Sequence, residues 1–428
     1  MNSPAARHDR MAARRRTRHR AERRFRMLGF LAVWVGLGFL AVLFAVIVDK
    51  GAGAFKQTMV RLDIAIEAPG MGPQGTIDWN AMLRMDTNAM IKKALRAAFP
   101  DAGSRREKRA LYQLVSPNAP FELRRLILDN PDLIGRSATV WVTASDDVDM
   151  LAKGAVPRSA PADARRLSDR QVRWIAALEA EGRLETRFNK AFFTSGDSRE
   201  PESAGIAVAL VGSLYSVLVC LALAFPFGVM AAVYLEEFAP KNRWTAFIEV
   251  NINNLAAVPS IVFGLLGLAL LLNFFNLPRS SPLVGGMVLA LMTLPTIIIA
   301  GRAALKAVPP SVRDAALAVG ASPVQAVFHH VLPLAMPGTL TGTIIGTARA
   351  MGETAPLLMV GMVAFVVDVP ETILSPATAL PVQVFLWADH PERAFLERTA
   401  AAILVLLVFT CAMNLLAMVL RRRFEVRW

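Results

Sequence analysis

Cysteine is nearly missing from this 428-residue chain: there are two, Cys220 and Cys411, both inside apolar runs. No disulfide framework and no thiolate metal site can be built from them. Histidine is scarce too, and of the five only His329 and His330 are neighbours. Adjacent helical residues point about 100° apart and cannot serve one site, so no metal or haem centre is read. Charge is also thin, at 19% of residues against about a quarter in soluble domains. Glycine (27) and proline (26) follow no period, which excludes a collagen-like repeat. With 54% hydrophobic residues and a mean hydropathy of +0.42, disorder is excluded as well. What remains is a polytopic membrane protein.

The net charge of +13 is unevenly placed. Residues 1–26 carry ten arginines against Asp9 and Glu22, or +8 of the total. An arginine tail directly before an apolar run is a topogenic signal rather than a nucleic-acid arm, so no nucleic acid is expected as a partner. Residues 27–48 make the first span, an uncleaved signal-anchor, since 22 residues at 1.5 Å each cross about 30 Å of hydrocarbon. Five further apolar blocks follow at 204–235, 251–278, 280–301, 337–367 and 399–420, giving six spans. An even count puts both termini on one side. Arg421, Arg422, Arg423 and Arg427 follow the last span, and Lys241, Arg243, Arg302, Lys306 and Arg313 lie in loops on that side, against Arg279 opposite. The positive-inside rule assigns that side to the cytoplasm.

Residues 49–203 have the composition of a soluble domain and are expected outside the membrane on the far side. Strands are predicted at 58–67, 137–145 and 184–194, and helices at 79–99, 105–114, 120–128 and 169–181. The fold class is therefore mainly α, with six transmembrane helices plus a small α+β extracytoplasmic domain. The chain divides into a basic tail (1–26), a first span (27–48), that domain (49–203) and a five-span core (204–428) with a cytoplasmic loop at 302–337.

That loop reads as two short helices. Pro309 and Pro310 stop the fourth span, Ser311 is placed to cap a helix with Asp314 completing a capping box, and Gly320 falls where a residue at positive φ ends it. Ser322 and Pro323 open a second helix that closes near Leu332 and Pro333. Ala315, Ala316 and Ala318 then form a small apolar surface outside the bilayer, which suggests a protein partner. In the fifth span Gly338, Gly342 and Gly346 repeat every four residues, a face that lets another helix come close, in this chain or a second one.

The loop resembles the EAA loop of ABC-importer permeases: Asp314-Ala315-Ala316, Gly320 and Leu332-Pro333 fall at its spacing, with Asp for Glu at 314 and His330 at an Ile position. Residues 349–358, 376–383, 387–389 and 421–428 extend the likeness to the permease subunits of bacterial phosphate importers. The resemblance implies a type I permease fold in the bacterial inner membrane and inorganic phosphate as cargo. It also implies a periplasmic phosphate-binding protein, a second homologous permease, and an ATP-binding subunit dimer docked on Asp314, Ala315, Ala316, Gly320, Leu332 and Pro333. ATP and Mg would sit on that dimer, for the chain has no G-x-x-x-x-G-K-[ST] of its own, and no cofactor is expected on it. Related oxyanions (sulfate, molybdate, phosphonate) are the alternative cargo, and a membrane-anchored sensor the alternative class.

Three charges stand in or beside the apolar blocks. Arg349, twelve residues or about 18 Å beyond Pro337, is expected near the midplane, where a charge marks a pathway or a buried pair. Glu353 shares its helix face, so the two either pair at rest or let Arg349 face the pore as a phosphate waypoint. Arg302 is a candidate for the exit path or a snorkelling anchor. Glu236 and Glu237 read as a solvated helix end, and Thr293 and Pro295 as a kink without chemistry.

Overall fold

The computed structural model describes residues 4–67, 85–161 and 165–424. The chain forms two compact units, Met1–Lys50 and Gly51–Trp428. The first is almost wholly one helix, α1 (Pro4–Gly51), in which the arginine tail runs without a break into the apolar run. Apolar side chains surround it, from Phe30 and Leu31 to Trp34 and Val35, as suits a helix immersed in lipid.

In the second unit, residues 56–194 build a three-stranded antiparallel sheet in the order β2-β1-β3: β1 (Lys56–Ala65), β2 (Ser137–Thr143) and β3 (Leu184–Phe188). Strict alternation sets the register. Val60, Leu62 and Ile64 are fully buried, and Leu62 lies opposite Val140 while Arg61 lies opposite Trp141. Each such aliphatic side chain contributes about 2 kcal/mol by burial. Against that face pack α2 (Thr87–Ala98), α3 (Arg105–Tyr112), α4 (Ala119–Asp129), α5 (Asp146–Ala152) and α6 (Asp169–Ala180), which supply Leu95, Leu111, Leu123 and Ile175 to one core. The other face is polar, with Arg187 stacked 4.2 Å from the Trp141 ring. The third strand is shorter than its pattern predicts. Asn189 accepts a hydrogen bond from the Phe192 amide and starts a helix, α7 (Lys190–Thr194), in place of further strand. Part of the helix expected at 79–99 lies outside the described residues; its described part begins at Thr87, capped by Asp86.

The membrane core holds α8 (Ala207–Val233), α9 (Arg243–Ala256), α10 (Ser260–Gly267), α11 (Pro282–Lys306), α12 (Pro310–Ala318), α13 (Pro323–Ala326), α14 (Leu332–Gly352), α15 (Ala355–Met359), α16 (Leu380–Ala388) and α17 (Ala394–Phe424). With α1, five helices are long and apolar enough to cross a membrane, and a bent pair makes a sixth. That pair corrects the third block, expected as one span over 251–278. Asn242 caps α9 well upstream, and Pro259, extended at ψ 137°, turns the chain by 101° into Ser260–Phe274. Proline lacks the amide that would carry the helix through.

The fifth block also departs from its expected limits of 337–367. Its helix runs from Pro323 to Gly352 with Pro337 inside, and residues 360–379 form a loop. The loop is anchored by Ala377 N–H on Ser280 O (2.8 Å) and Leu283 N–H on Ile373 O (3.0 Å). Asp197 N–H donates to Val366 O at 3.0 Å, so this loop meets the segment leading out of the α+β domain. The junction is polar and buried. Arg398, 3% exposed, donates to Ala54 O and Glu202 O, Gln57 donates to Glu202 O, and Lys153 pairs with Glu397 at 3.6 Å. The α+β domain is thus fixed to the start of α17, at the end of the core opposite the α12–α13 hairpin.

Candidate coupling hairpin and its ion pairs

The hairpin is built by local capping. Pro309, extended at ψ 137°, precedes α12, and Pro310 takes its first position, where the missing amide costs nothing. The box expected from Ser311 and Asp314 does not form: the prolines start the helix two residues earlier, so Ser311 lies inside it, and Asp314 is left exposed. The far end follows the pattern. Gly320 adopts φ +94°, Gly320 N–H donates to Leu317 O at 3.0 Å and Ala321 N–H to Ala316 O at 3.1 Å, which is a Schellman ending. Nothing lies within 4 Å of a Cβ built on Gly320, so backbone conformation alone asks for glycine there.

Ser322 and Gln325 form a reciprocal capping box with Pro323 at the first position. The second helix does not close at Leu332-Pro333. Residues 327–331 make one π turn and the helix continues as α14. The wider turn accommodates Pro333, whose ring would otherwise press on the carbonyl one turn earlier.

One side of the hairpin packs on the span ends. Val327, Val331 and Ala335 join Ala232, Val233, Leu305 and Val308 in a buried cluster, and Ala316 is itself buried, 6% exposed. Ala316 therefore belongs to the core and not to the outer surface expected of it, while Ala315 and Ala318 are exposed. The outer surface has larger apolar groups that the alanine pattern concealed: Leu317, Val324 and Phe328 about half exposed, and Val319 at 84%. Leu332 is half-buried, and His330 and Pro333 face outward.

Charge ties the hairpin to the spans. The Arg313 guanidinium grips Glu237 with both arms, Nε donating to Oε2 at 2.9 Å and Nη2 to Oε1, and it also donates to the carbonyls of Val308 and Leu305 at 3.0 Å each. The Glu237 hydrogen bonds push the Arg313 pKa up. Arg302 bonds Glu249 at 2.7 Å and Glu236 at 3.3 Å, and Lys306 approaches Glu236 at 3.6 Å. Glu236 and Glu237 are consequently not a solvated end: their side chains are 17% and 7% exposed on a π turn closing α8. The signal for them was in the sequence, as two acids ending a 32-residue block without charge, but their partners lie 66 and 76 residues away.

Arg349 and Glu353 are in contact at 3.5 Å, but not along one helix face. The helix ends at Gly352 and Glu353 is extended, so the pair closes over the C-terminus of α14, where a cation is favourable. Because this helix starts at Pro323, Arg349 stands 26 residues or about 39 Å along it, in the last turn and not near the middle. Its side chain is 59% exposed. Gly338, Gly342 and Gly346 face α11 in this chain: a Cβ at Gly338 would lie 2.7 Å from Ala304 Cβ, one at Gly342 would overlap Ala300 Cβ, and one at Gly346 would sit 3.7 Å from Thr296. Thr293 donates to the Leu289 and Ala290 carbonyls. Among the described residues no three His, Cys, Asp or Glu side chains converge to hold a metal.

Two families match the chain: a domain of unknown function, DUF3333, over residues 12–162, and the binding-protein-dependent transport system inner membrane component over residues 224–427. The phosphate transport system permease protein PstA 1 of Mycobacterium tuberculosis (strain ATCC 25618 / H37Rv) is 32% identical over 222 residues, 52% of this chain and 71% of the relative. PstA of Yersinia pestis is 32% identical over 217 residues, 50% and 72% of the two chains. The probable ABC transporter permease protein YqgI of Bacillus subtilis (strain 168) is 29% identical over 238 residues, covering 52% of this chain and 80% of the relative. Among solved structures, the inward-facing MetNI methionine ABC transporter is similar at a TM-score of 0.40 and 17% identity, over 52% of this chain and 95% of that one. The hairpin and its ion pairs all lie within 224–427.

Proposed function

Because this chain belongs to the binding-protein-dependent transport system inner membrane components, as a PstA-type permease of the multi-pass inner-membrane class, we propose that it carries inorganic phosphate into the cell. In this reading a separate ATP-binding subunit dimer drives it through residues 308–333, and a second permease completes the pathway. A periplasmic phosphate-binding protein delivers the anion from the side of the α+β domain, and both termini are cytoplasmic. ATP and Mg are held by the ATPase; the role of this subunit is mechanical.

The observation that carries the proposal is the two-sided hairpin. Its outer side presents Leu317, Val319, Val324 and Phe328 to a partner, with Asp314 exposed among them and, among the described residues, in no ion pair. Its inner side is joined to α8 by the Arg313–Glu237 fork and to α11 by the Arg313 bond to the Leu305 carbonyl, with a second to Val308 just beyond that helix. A bidentate guanidinium–carboxylate contact has fixed geometry, so movement of the docked ATPase reaches the spans as a rigid displacement rather than being lost in a flexible loop.

Arg349 is the waypoint for phosphate. At 3.5 Å its contact with Glu353 is longer than the 2.7–2.9 Å of a strong charge-assisted bond, so the anion displaces Glu353 at little cost, and Glu353 limits how tightly it is held. Arg302, already committed to Glu236 and Glu249, steadies the inner end of the path. A bifunctional crosslinker of short reach tests the docking surface, with Ala318→Cys against a cysteine on the co-purified ATPase. An adduct in the assembled complex is expected, and none in a complex proven intact contradicts the proposal.

A further inference from the structure

The α+β domain has a cavity of about 550 Å³, within the range of small-molecule sites, that no part of the transport reading uses. Lys92 of α2 and Arg109 of α3 line it, together with Asp146 and Asp147 of α5, Glu200 and Arg166. The lining is balanced, with three cations and three carboxylates. Among the described residues, none of the six forms an ion pair within 4.0 Å; the contact given for Lys92 is the face of the Tyr112 ring, 5.4 Å away. Opposite charges that share a cavity normally collapse onto each other, and here they are held apart by the elements that carry them. Asp146 and Asp147 are placed by the Ser145 N–H bond to Leu114 O (3.2 Å) and the Val115–Ala144 bridge. Lys92 is placed by α2, which packs on β1, and Arg109 by α3, which packs on α2.

Two further observations point to a missing group. Ser145, 8% exposed, lines the cavity with a buried hydroxyl that has no hydrogen-bond partner, a state that is unfavourable unless something bonds it. Burial and the adjacent Asp146 carboxylate push the Asp147 carboxyl up to about 6, and burial raises Glu200 with Glu392 and Asp146 adding to it. Arg166 offsets only part of this at Asp147, so the acidic wall has room for a further cation. The same wall repels a phosphate dianion, so the cavity is not a second site for the anion carried by the core.

From this we propose that the α+β domain binds a small zwitterion, an α-amino acid, with its ammonium against Asp146, Asp147 and Glu200, its carboxylate toward Lys92 and Arg109, and the Ser145 hydroxyl bonded to one of the two ends. The site makes the permease a receptor for a solute other than its cargo, and it stands whether or not that cargo is phosphate.

The test is calorimetric titration of the full chain in detergent with each of the twenty amino acids, then with the N-acetyl and methyl ester forms of whichever binds, and with inorganic phosphate. At least one amino acid is expected to bind saturably. Each blocked form, like the Asp146→Asn and Arg109→Gln variants, is expected to bind about tenfold or more weakly, the worth of one charge-assisted hydrogen bond. No binding by any amino acid, binding indifferent to both blocked ends, or phosphate competing for the cavity would each overturn it. The blocked forms keep the test decisive even if a variant fails to fold.

Discussion

At the scale of single residues the decisive contact is Arg313 with Glu237. Removing one partner of a buried pair costs about 3–5 kcal/mol, and less where an arginine is partly solvated, as Arg313 is at 24% exposure. Arg313→Ala is therefore expected to loosen the hairpin by about 2 kcal/mol and to cut ATP-driven phosphate uptake by an order of magnitude in reconstituted vesicles, while the ATPase keeps hydrolysing. The exchange Arg313→Glu with Glu237→Arg should recover part of it. Arg349→Ala should lower uptake with hydrolysis still coupled, and full uptake would remove the waypoint. Glu202 supplies a pH test. It is 2% exposed, neither carboxylate oxygen has a hydrogen-bond partner, and burial pushes its pKa up to about 7. The folded state thus holds a proton that the unfolded state, with a pKa near 4.5, gives up. Stability must fall as pH rises from about 4.5 to 7 and level off above. Melting midpoints between pH 5 and 8 should show this slope in the native chain and a shallower one in Glu202→Gln, where Asp147, raised to about 6, keeps its own share.

At the scale of elements the glycine face of α14 lies close against α11. Gly342→Ala forces a methyl into Ala300, and overpacking of this kind costs about 1–3 kcal/mol, visible as a lower melting midpoint in detergent. Gly346→Ala, with 3.7 Å to spare, should be close to neutral. The same contrast between local and distant causes shows what could be read from the sequence. Gly320, Ser322 and Pro323 were legible because a cap is decided within four residues, and β1 because alternation is. Ser311 misled because two prolines upstream already began the helix, and Ala316 because an alanine pattern does not say which of its side chains is buried. The bend at Pro259 hid inside a run that is apolar throughout, where hydropathy has no direction. The place of Arg349 in the last turn of its helix was not legible either, because a π turn carries the helix straight past Pro333 and leaves Pro337 inside it.

At the scale of the whole molecule, a membrane core has an α+β domain fixed at one end and a hairpin at the other. The two ends differ in how they are held. The domain is seated by Arg398, Gln57 and Glu202 with partners hundreds of residues apart in the chain, and no sequence pattern announces it. The hairpin is seated by charge on α8 and leaves its large apolar side chains outward. The work proposed for it is to convert the closing of an ATPase dimer into movement of α8 and α11, and the direct measurement is uptake of labelled phosphate by the native complex in proteoliposomes, comparing the wild type with Val319→Asp. Uptake should require ATP and drop to background in the variant, with the fold intact by melting midpoint; uptake that proceeds without ATP, or is unchanged by a charge at the tip of the hairpin, would contradict it.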